Sequence, residues 1–215
     1  MKDSRTTDII ISTSVSRSEK DVEGASALWK AVYEDEFGWL SQDVEPRHDP
    51  FHLRSYYAVC WHQELPVGTL RIVTQADPGF YITEKIGLEP LSNYLCLGIE
   101  IQRLMVHRDF RDRRIHSAPF GVYGCLVKAC FQYALATGMD WVLADCHKNV
   151  EIGPLKSMKT MGFRETGHSY CDSFNNEECI VLIIRTKEWI RDVVSRPSSF
   201  NTYLFGHDVN ISMEL

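Results

Sequence analysis

The sequence predicts a layered α/β or α+β fold built on one mixed sheet. β-rich runs recur between stretches of helical periodicity, and Gly, Pro and Asn punctuate the joins. The order runs helix, hairpin, strand, basic turn, long helix, strand, helix, strand, strand. A length of 215 residues suits a single domain spanning 1–215, able to bury a core without metal or disulfide support.

The first helix is predicted from Glu19 to about Phe37, where Ala25, Leu28, Trp29, Val32, Tyr33 and Phe37 recur at helical spacing until Gly38 stops the pattern. A polar loop follows from Trp39 to His52, furnished with Asp43, Glu45, His48 and Asp49. SYYAVCWHQELPVGTLRIVTQ then reads as an antiparallel hairpin turning between His62 and Pro66. ADPGFYITEKIGLEPLSNYL, interrupted by Pro and Gly, predicts a loop with a short helix. CLGIEIQRLMVH has the near-continuous hydrophobicity of a central strand, broken by Glu100, Gln102 and Arg103. Ser117 and Pro119 open a long helical pattern that carries Phe120, Val127, Cys130, Phe131, Ala134 and Leu135 on one side and stops at Gly138. WVLADCH is a strand, Glu151 to Met161 a helix capped by Gly162, and FRETGHSYC and ECIVLIIRT two further strands. The tail from 189 to 215 reads as an added short helix and strand.

Composition excludes several classes. Charged residues at 24% and hydrophobic residues at 44% describe a globular chain, not a disordered one. Seven cysteines, scattered with no C-x-x-C pair and mostly inside apolar runs, predict buried free thiols in a reducing, cytoplasmic setting, with no disulfide framework and no zinc site. Asp43, Glu45, His48 and Asp49 match no compact ligand spacing, so no metal is expected. DIIISTSV is too short for a signal peptide, and no run reaches the length of a membrane span. A net charge of −6 argues against nucleic acid as a partner. Arg108, Arg111, Arg113 and Arg114, flanked by His107 and His116, nevertheless form a local basic segment and the candidate anion site.

That segment, VHRDFRDRRIH between a strand and a long helix, resembles the pyrophosphate-binding turn of the GNAT acyltransferases. Arg111 stands at the turn's first position, while Arg114 and His116 occupy its glycine positions. ADCHKNVEIGPLKSMKTMGF resembles the strand, Asn, helix and Gly-Phe ending of the same superfamily, with Asn149 and Gly162-Phe163 in place and Met158 where many members carry a tyrosine acid. Tyr33, Gly38-Trp39, the acidic loop ending at Asp49, Gly68-Thr-Leu-Arg71 and Glu100-Ile-Gln-Arg103 follow in order. Together they resemble the acyl-homoserine-lactone synthase and N-acyl amino acid synthase branch, although Trp29 replaces that branch's helix arginine. The resemblance implies a mixed, mostly antiparallel central sheet flanked by helices, with a bulge in the central strand. It also implies acyl transfer from a phosphopantetheine thioester.

Amide formation from a thioester needs an uncharged amine, a proton acceptor, donors for the oxyanion and a site for the leaving thiol. Glu100 is the candidate base, its other reading being a structural carboxylate paired with Arg71 or Arg103. Arg71 and Arg103 would hold an acceptor carboxylate or fix the acidic loop containing Asp49. Backbone groups near Leu104, Met105 and Val106 would meet the oxyanion if the bulge is present. Trp39 is placed by the resemblance in the acceptor or acyl pocket. Arg108, Arg111, Arg113, Arg114 and Asn149 are the candidates for receiving the phosphopantetheine or an acidic acyl carrier protein, with a solvated loop as the alternative for the arginines. Cys146-His147 reads as a core cysteine beside an oppositely directed histidine, and His168 and Tyr170 are the candidate thiol acids.

The expected activity is N-acyl transfer from an acyl carrier protein or acyl-coenzyme A to the amine of an amino acid or related small molecule, by direct attack and with no permanently bound cofactor. An ordinary acetyl-coenzyme A N-acetyltransferase and a non-catalytic GNAT-like binding module are the alternatives.

Overall fold

The computed structural model describes residues 9–39, 48–75, 79–87, 89–111, 113, 115–149, 153–173, 175–196, 198–206 and 211–215. β1 (Ser12–Ser16) leads into α1 (Glu19–Trp29), whose N-terminus is capped by the Ser18 hydroxyl accepting from the Asp21 amide. The helix continues as a π-helix over Lys30–Glu36, and Gly38 leaves it at φ +65°. β2 (Ser55–His62) and β3 (Leu65–Thr74) form the expected hairpin. The short helices α2 (Tyr81–Ile86) and α3 (Ser92–Leu95) precede the central strand β4 (Gly98–Val106). After it come α4 (Gly121–Ala136), β5 (Trp141–His147), α5 (Leu155–Thr160), β6 (Arg164–Cys171) and β7 (Glu178–Arg185). α6 (Thr186–Ser195), α7 (Ser199–Phe205) and β8 (Ile211–Met213) close the chain.

All eight strands make one sheet in the order β6-β7-β5-β4-β3-β2-β1-β8. Only β4 with β5 and β1 with β8 run parallel, so the sheet is mixed and mostly antiparallel, as the resemblance implied. Strand alternation divides the core between its faces. Ala58, Cys60, Val142, Ala144, Ile180 and Leu182 pack on the α4 side, while Tyr57, Val59 and Trp61 meet α1 and Leu143, Val181 and Ile183 meet α2. Cross-strand register then puts Tyr57, Arg71, Gln102 and Glu100 on the α1/α2 face, together with Asp145 and His147.

Two local features of β4 matter for the site. Against β3, Met105 faces Thr69 while Gln102 faces Arg71, so two residues, Arg103 and Leu104, oppose the single Leu70. This is the bulge, and Arg103 takes it up at φ +50°. Against β5, pairing stops at Ile101 and Ala144 although both strands continue, to Val106 and His147. The two strands therefore part.

Several boundaries differ from expectation. α4 begins at Gly121, not at Ser117, because the chain first makes a 3-10 turn at Arg108–Phe110 and a bridge between Ile115 and Ala118. The described part of α5 begins at Leu155, and the tail holds two helices where one was expected. Of the seven cysteines, all free, Cys96 and Cys171 are exposed and the other five buried.

Candidate active site

Where β4 and β5 part, a cavity of about 390 Å³ opens through the sheet. Its lining comes from both faces: Gln102 and Asp145 from one, Tyr123, Ala144 and Met158 from the other. The π-helical turn delivers an aromatic wall. The Trp39 amide reaches back to the Tyr33 carbonyl at 2.8 Å, and Trp39 stacks on Phe37 with ring centroids 4.5 Å apart. Tyr33, Phe37 and Trp39 all line the cavity, and Trp39 meets the edge of His147 at 5.5 Å.

Asp49 organises the opposite wall. Its Oδ2 lies 2.7 Å from Arg71 Nη1 and 3.3 Å from Arg103 Nη2, and its Oδ1 accepts from the Phe51 amide at 2.8 Å. Burial alone would push the Asp49 carboxyl up. The Arg71 charge and hydrogen bond, the Phe51 amide and Arg103 outweigh it and hold the group below the usual carboxylate range. Arg71 is 1% exposed and donates onward to the Gln102 side-chain oxygen. Gln102 in turn donates to Glu100 at 2.6 Å. The bulge turns Arg103 toward Asp49 and over the Trp29 ring, 4.3 Å from its centroid. Arg71 and Arg103 both line the cavity.

Glu100, the expected base, stands behind the cavity lining. Its carboxylate accepts from the Tyr81 amide at 2.8 Å, the Ile82 amide at 3.1 Å and Gln102, and it is fully buried behind the cavity lining. Burial, helped by the neighbouring Asp145 charge, pushes its carboxyl up to about 8. Its oxygens are turned to three donors, and Glu100 stands outside the cavity lining, beside Gln102 and α2. Two carboxylates line the cavity, Asp145 and Asp172; Asp145 accepts from the Tyr170 hydroxyl at 2.5 Å and is itself pushed up by burial.

Leu104, Met105 and Val106 line the cavity on the stretch of β4 that β5 has left. The basic turn is distributed differently from the expected cradle. Arg111 lines the cavity, but its guanidinium grips Glu36 in a two-pronged ion pair at 2.5 and 2.6 Å and its Nε donates to the Val106 carbonyl. It thus ties the end of the π-helix to the end of β4. Arg108 and Arg113 are exposed and stand outside the lining, and Arg114 lies outside the described residues. Asn149 is exposed, outside the lining, and its carbonyl accepts from the Gly153 amide. The loop residues Asp43 and Glu45 also lie outside the described residues. Among the candidate acids, Tyr170 lines the cavity and His168 does not.

Tyr123 was not legible as a site residue. In the α4 pattern it reads as one more aromatic, yet its hydroxyl is buried with no hydrogen-bond partner among the described residues, and it lines the cavity. Burial pushes its phenol well above the usual tyrosine range, so it is a proton-bearing donor in search of an acceptor. Met158, where a tyrosine acid was the alternative, contributes only apolar surface to the same cavity.

Comparison with known proteins agrees with this geometry. Residues 28–118 match the acetyltransferase (GNAT) domain family. Among solved structures, the chain is similar to FeeM, an N-acyl amino acid synthase from uncultured soil microbes, at 14% identity and a TM-score of 0.68, covering 86% of this chain and 95% of that one. It is similar to BjaI, a coenzyme A-dependent acyl-homoserine lactone synthase, at 16% identity and a TM-score of 0.63, covering 95% and 93%. The acyl-homoserine lactone synthase LasI follows at 18% identity and a TM-score of 0.58, covering 83% and 90%. At these identities the likeness establishes the fold. No curated protein sequence matches the chain. No helix among the described residues is long and apolar enough to cross a membrane.

Proposed function

We propose that this chain, GNAT-like in fold and matched to the GNAT acetyltransferase domain over residues 28–118, is an N-acyltransferase. It moves an acyl group from a phosphopantetheine thioester, on an acyl carrier protein or on coenzyme A, to the amine of an amino acid or related small molecule. The observation that carries this reading is the cavity through the parted β4 and β5, with paired arginines on one side and a carboxylate on another. A volume of about 390 Å³ is at the small end for ligand sites, which suits the reacting end of a thioester beside a small acceptor.

The chemistry follows from what lines that space. The thioester carbonyl lies along Leu104–Val106, where main-chain donors no longer engaged by β5 receive the developing oxyanion. The acceptor amine attacks the carbonyl carbon directly, the C–N bond forms and the C–S bond breaks. The amine proton passes to Asp145, whose raised affinity for protons fits the task, and the leaving thiolate takes a proton from Tyr123, whose hydroxyl has no other partner among the described residues. Arg103, held by Asp49 on its far side, meets the carboxylate of an amino-acid acceptor, while Arg71, more deeply buried, keeps Arg103 and Gln102 in place. Arg111 secures the wall through Glu36.

A mass-spectrometric screen tests this reading. Long- and short-chain acyl carrier proteins and the matching coenzyme A thioesters are offered against a pool of amino acids and amines. An N-acyl product that is abolished in Asp145→Asn supports the proposal. Product from acetyl-coenzyme A alone points to an ordinary acetyltransferase, and no product from any pair points to a binding module.

A further inference from the structure

One corner of the cavity has a chemistry that acyl transfer does not use. His147 ends β5, Cys179 is the second residue of β7 and Asp172 stands in the turn after β6, and all three line the cavity. Strand register places His147 directly opposite Cys179, with Tyr170 paired on Cys179's other side. Cys179 Sγ is 3.4 Å from His147 Nδ1, and Asp172 Oδ2 is 3.8 Å from His147 Nε2. One donor atom from each of the three residues falls within 4.8 Å of the others.

We propose that His147, Asp172 and Cys179 form a binding site for a thiophilic divalent cation of the zinc class, open on its fourth side to the cavity. The sulfur-to-nitrogen spacing matches what a tetrahedral ion imposes: bonds of about 2.3 Å to sulfur and about 2.05 Å to nitrogen put the two donors about 3.5 Å apart. Two of the three ligands sit on hydrogen-bonded neighbouring strands, so their separation is set by the sheet. The third is carried by a turn that is pinned on itself, the Asp172 amide donating to the Glu177 carbonyl at 2.8 Å and the Asp172 carbonyl accepting from the Asn176 amide at 2.9 Å. Asp172 meets the other ring nitrogen from the one Cys179 meets, so both the imidazole and the carboxylate turn to close on one ion. A thiolate, an imidazole and a carboxylate together select zinc or cobalt over magnesium or calcium.

The ligands are spread over β5, β7 and the turn between β6 and β7, which explains why no compact motif announced them in the sequence. The site stands independently of the acyl-transfer reading.

The test uses the full chain, stripped of metal with a chelator and titrated with cobalt(II), followed by zinc(II). The expected result is one equivalent of cobalt with a sulfur-to-cobalt charge-transfer band in the near ultraviolet, displaced by zinc and not by magnesium. Cys179→Ser abolishes the band, and His147→Gln weakens zinc binding by at least about 10-fold. Cys96→Ser, at an exposed thiol outside the cavity, leaves both unchanged. If Cys179→Ser does not fold, His147→Gln decides, because that side chain is only partly buried. No stoichiometric binding, a band that survives Cys179→Ser, zinc affinity that is unchanged in His147→Gln, or magnesium competing equally with zinc would overturn the proposal.

Discussion

Asp49 stands 2.7 Å from the Arg71 guanidinium, and it is the ion pair on which one wall of the cavity rests. Arg71 is 1% exposed, so its charge depends on that partner. Asp49→Asn leaves a buried guanidinium uncompensated and is expected to cost roughly 3 to 5 kcal/mol of stability, measured by urea unfolding. The parent should also lose stability as pH falls through the depressed Asp49 range, since the unfolded carboxylate takes up its proton first. Asp49→Asn lacks that contribution, and an unchanged acid profile would show the pair to be unimportant.

Glu100 gives the opposite sign. Its carboxyl is raised from an ordinary value of 4.5 to about 8, so between those values the folded chain holds a proton that the unfolded chain has lost. Its contribution is therefore fully present below about 4.5 and declines as pH rises through about 8. Glu100→Gln should be less stable than the parent at pH 5, because the amide nitrogen opposes a donor where the carboxyl accepts, and the gap should narrow toward pH 9. Melting temperatures of the two proteins across that range check it. A constant gap would mean that Glu100 does not titrate there.

The fold was legible because its signals are local. The hairpin, the central strand and the long helix each announced themselves by periodicity over contiguous residues, and the structure has all three. The site was legible only in part. Strand alternation put Glu100 and Gln102 on one side, but it took the β3/β4 register to set Arg71 beside Gln102 and the bulge to bring Arg103 round to Asp49. Asp145, Tyr123 and Cys179 come from three separate elements, and nothing along the chain says that they share a cavity. The basic turn was legible as a cluster of charge but not in its geometry. It resembles a helix N-terminus, but the helix begins later, at Gly121, and Arg111 is spent on Glu36.

Tyr123→Phe separates chemistry from packing. Removing a buried hydroxyl that has no partner should leave stability unchanged or slightly improved. If the phenol protonates the departing thiolate, kcat falls by about 100-fold or more while KM for the donor changes little. The two readouts, thermal melting and steady-state kinetics with a thioester donor, should move independently. A variant with full activity would move the acid to Tyr170.

Arg108 and Arg113 test the nature of the donor. Both are exposed and stand outside the cavity lining, so reversing their charge leaves the reacting groups untouched. The whole chain carries a net charge of −6, which opposes the approach of an acidic carrier protein. Only a local basic patch can guide such a partner in, and guidance of this kind acts on encounter and is screened by salt. The double variant Arg108→Glu with Arg113→Glu should therefore lower kcat/KM for the carrier-protein donor by at least about 10-fold at low ionic strength, with the loss shrinking as salt is added. A coenzyme A donor, of which only the reacting end would reach the cavity, has no acidic protein surface to be steered and should lose less. Equal loss with both donors would assign the two arginines to the phosphate groups that the donors share, and no loss with either would leave them a solvated turn.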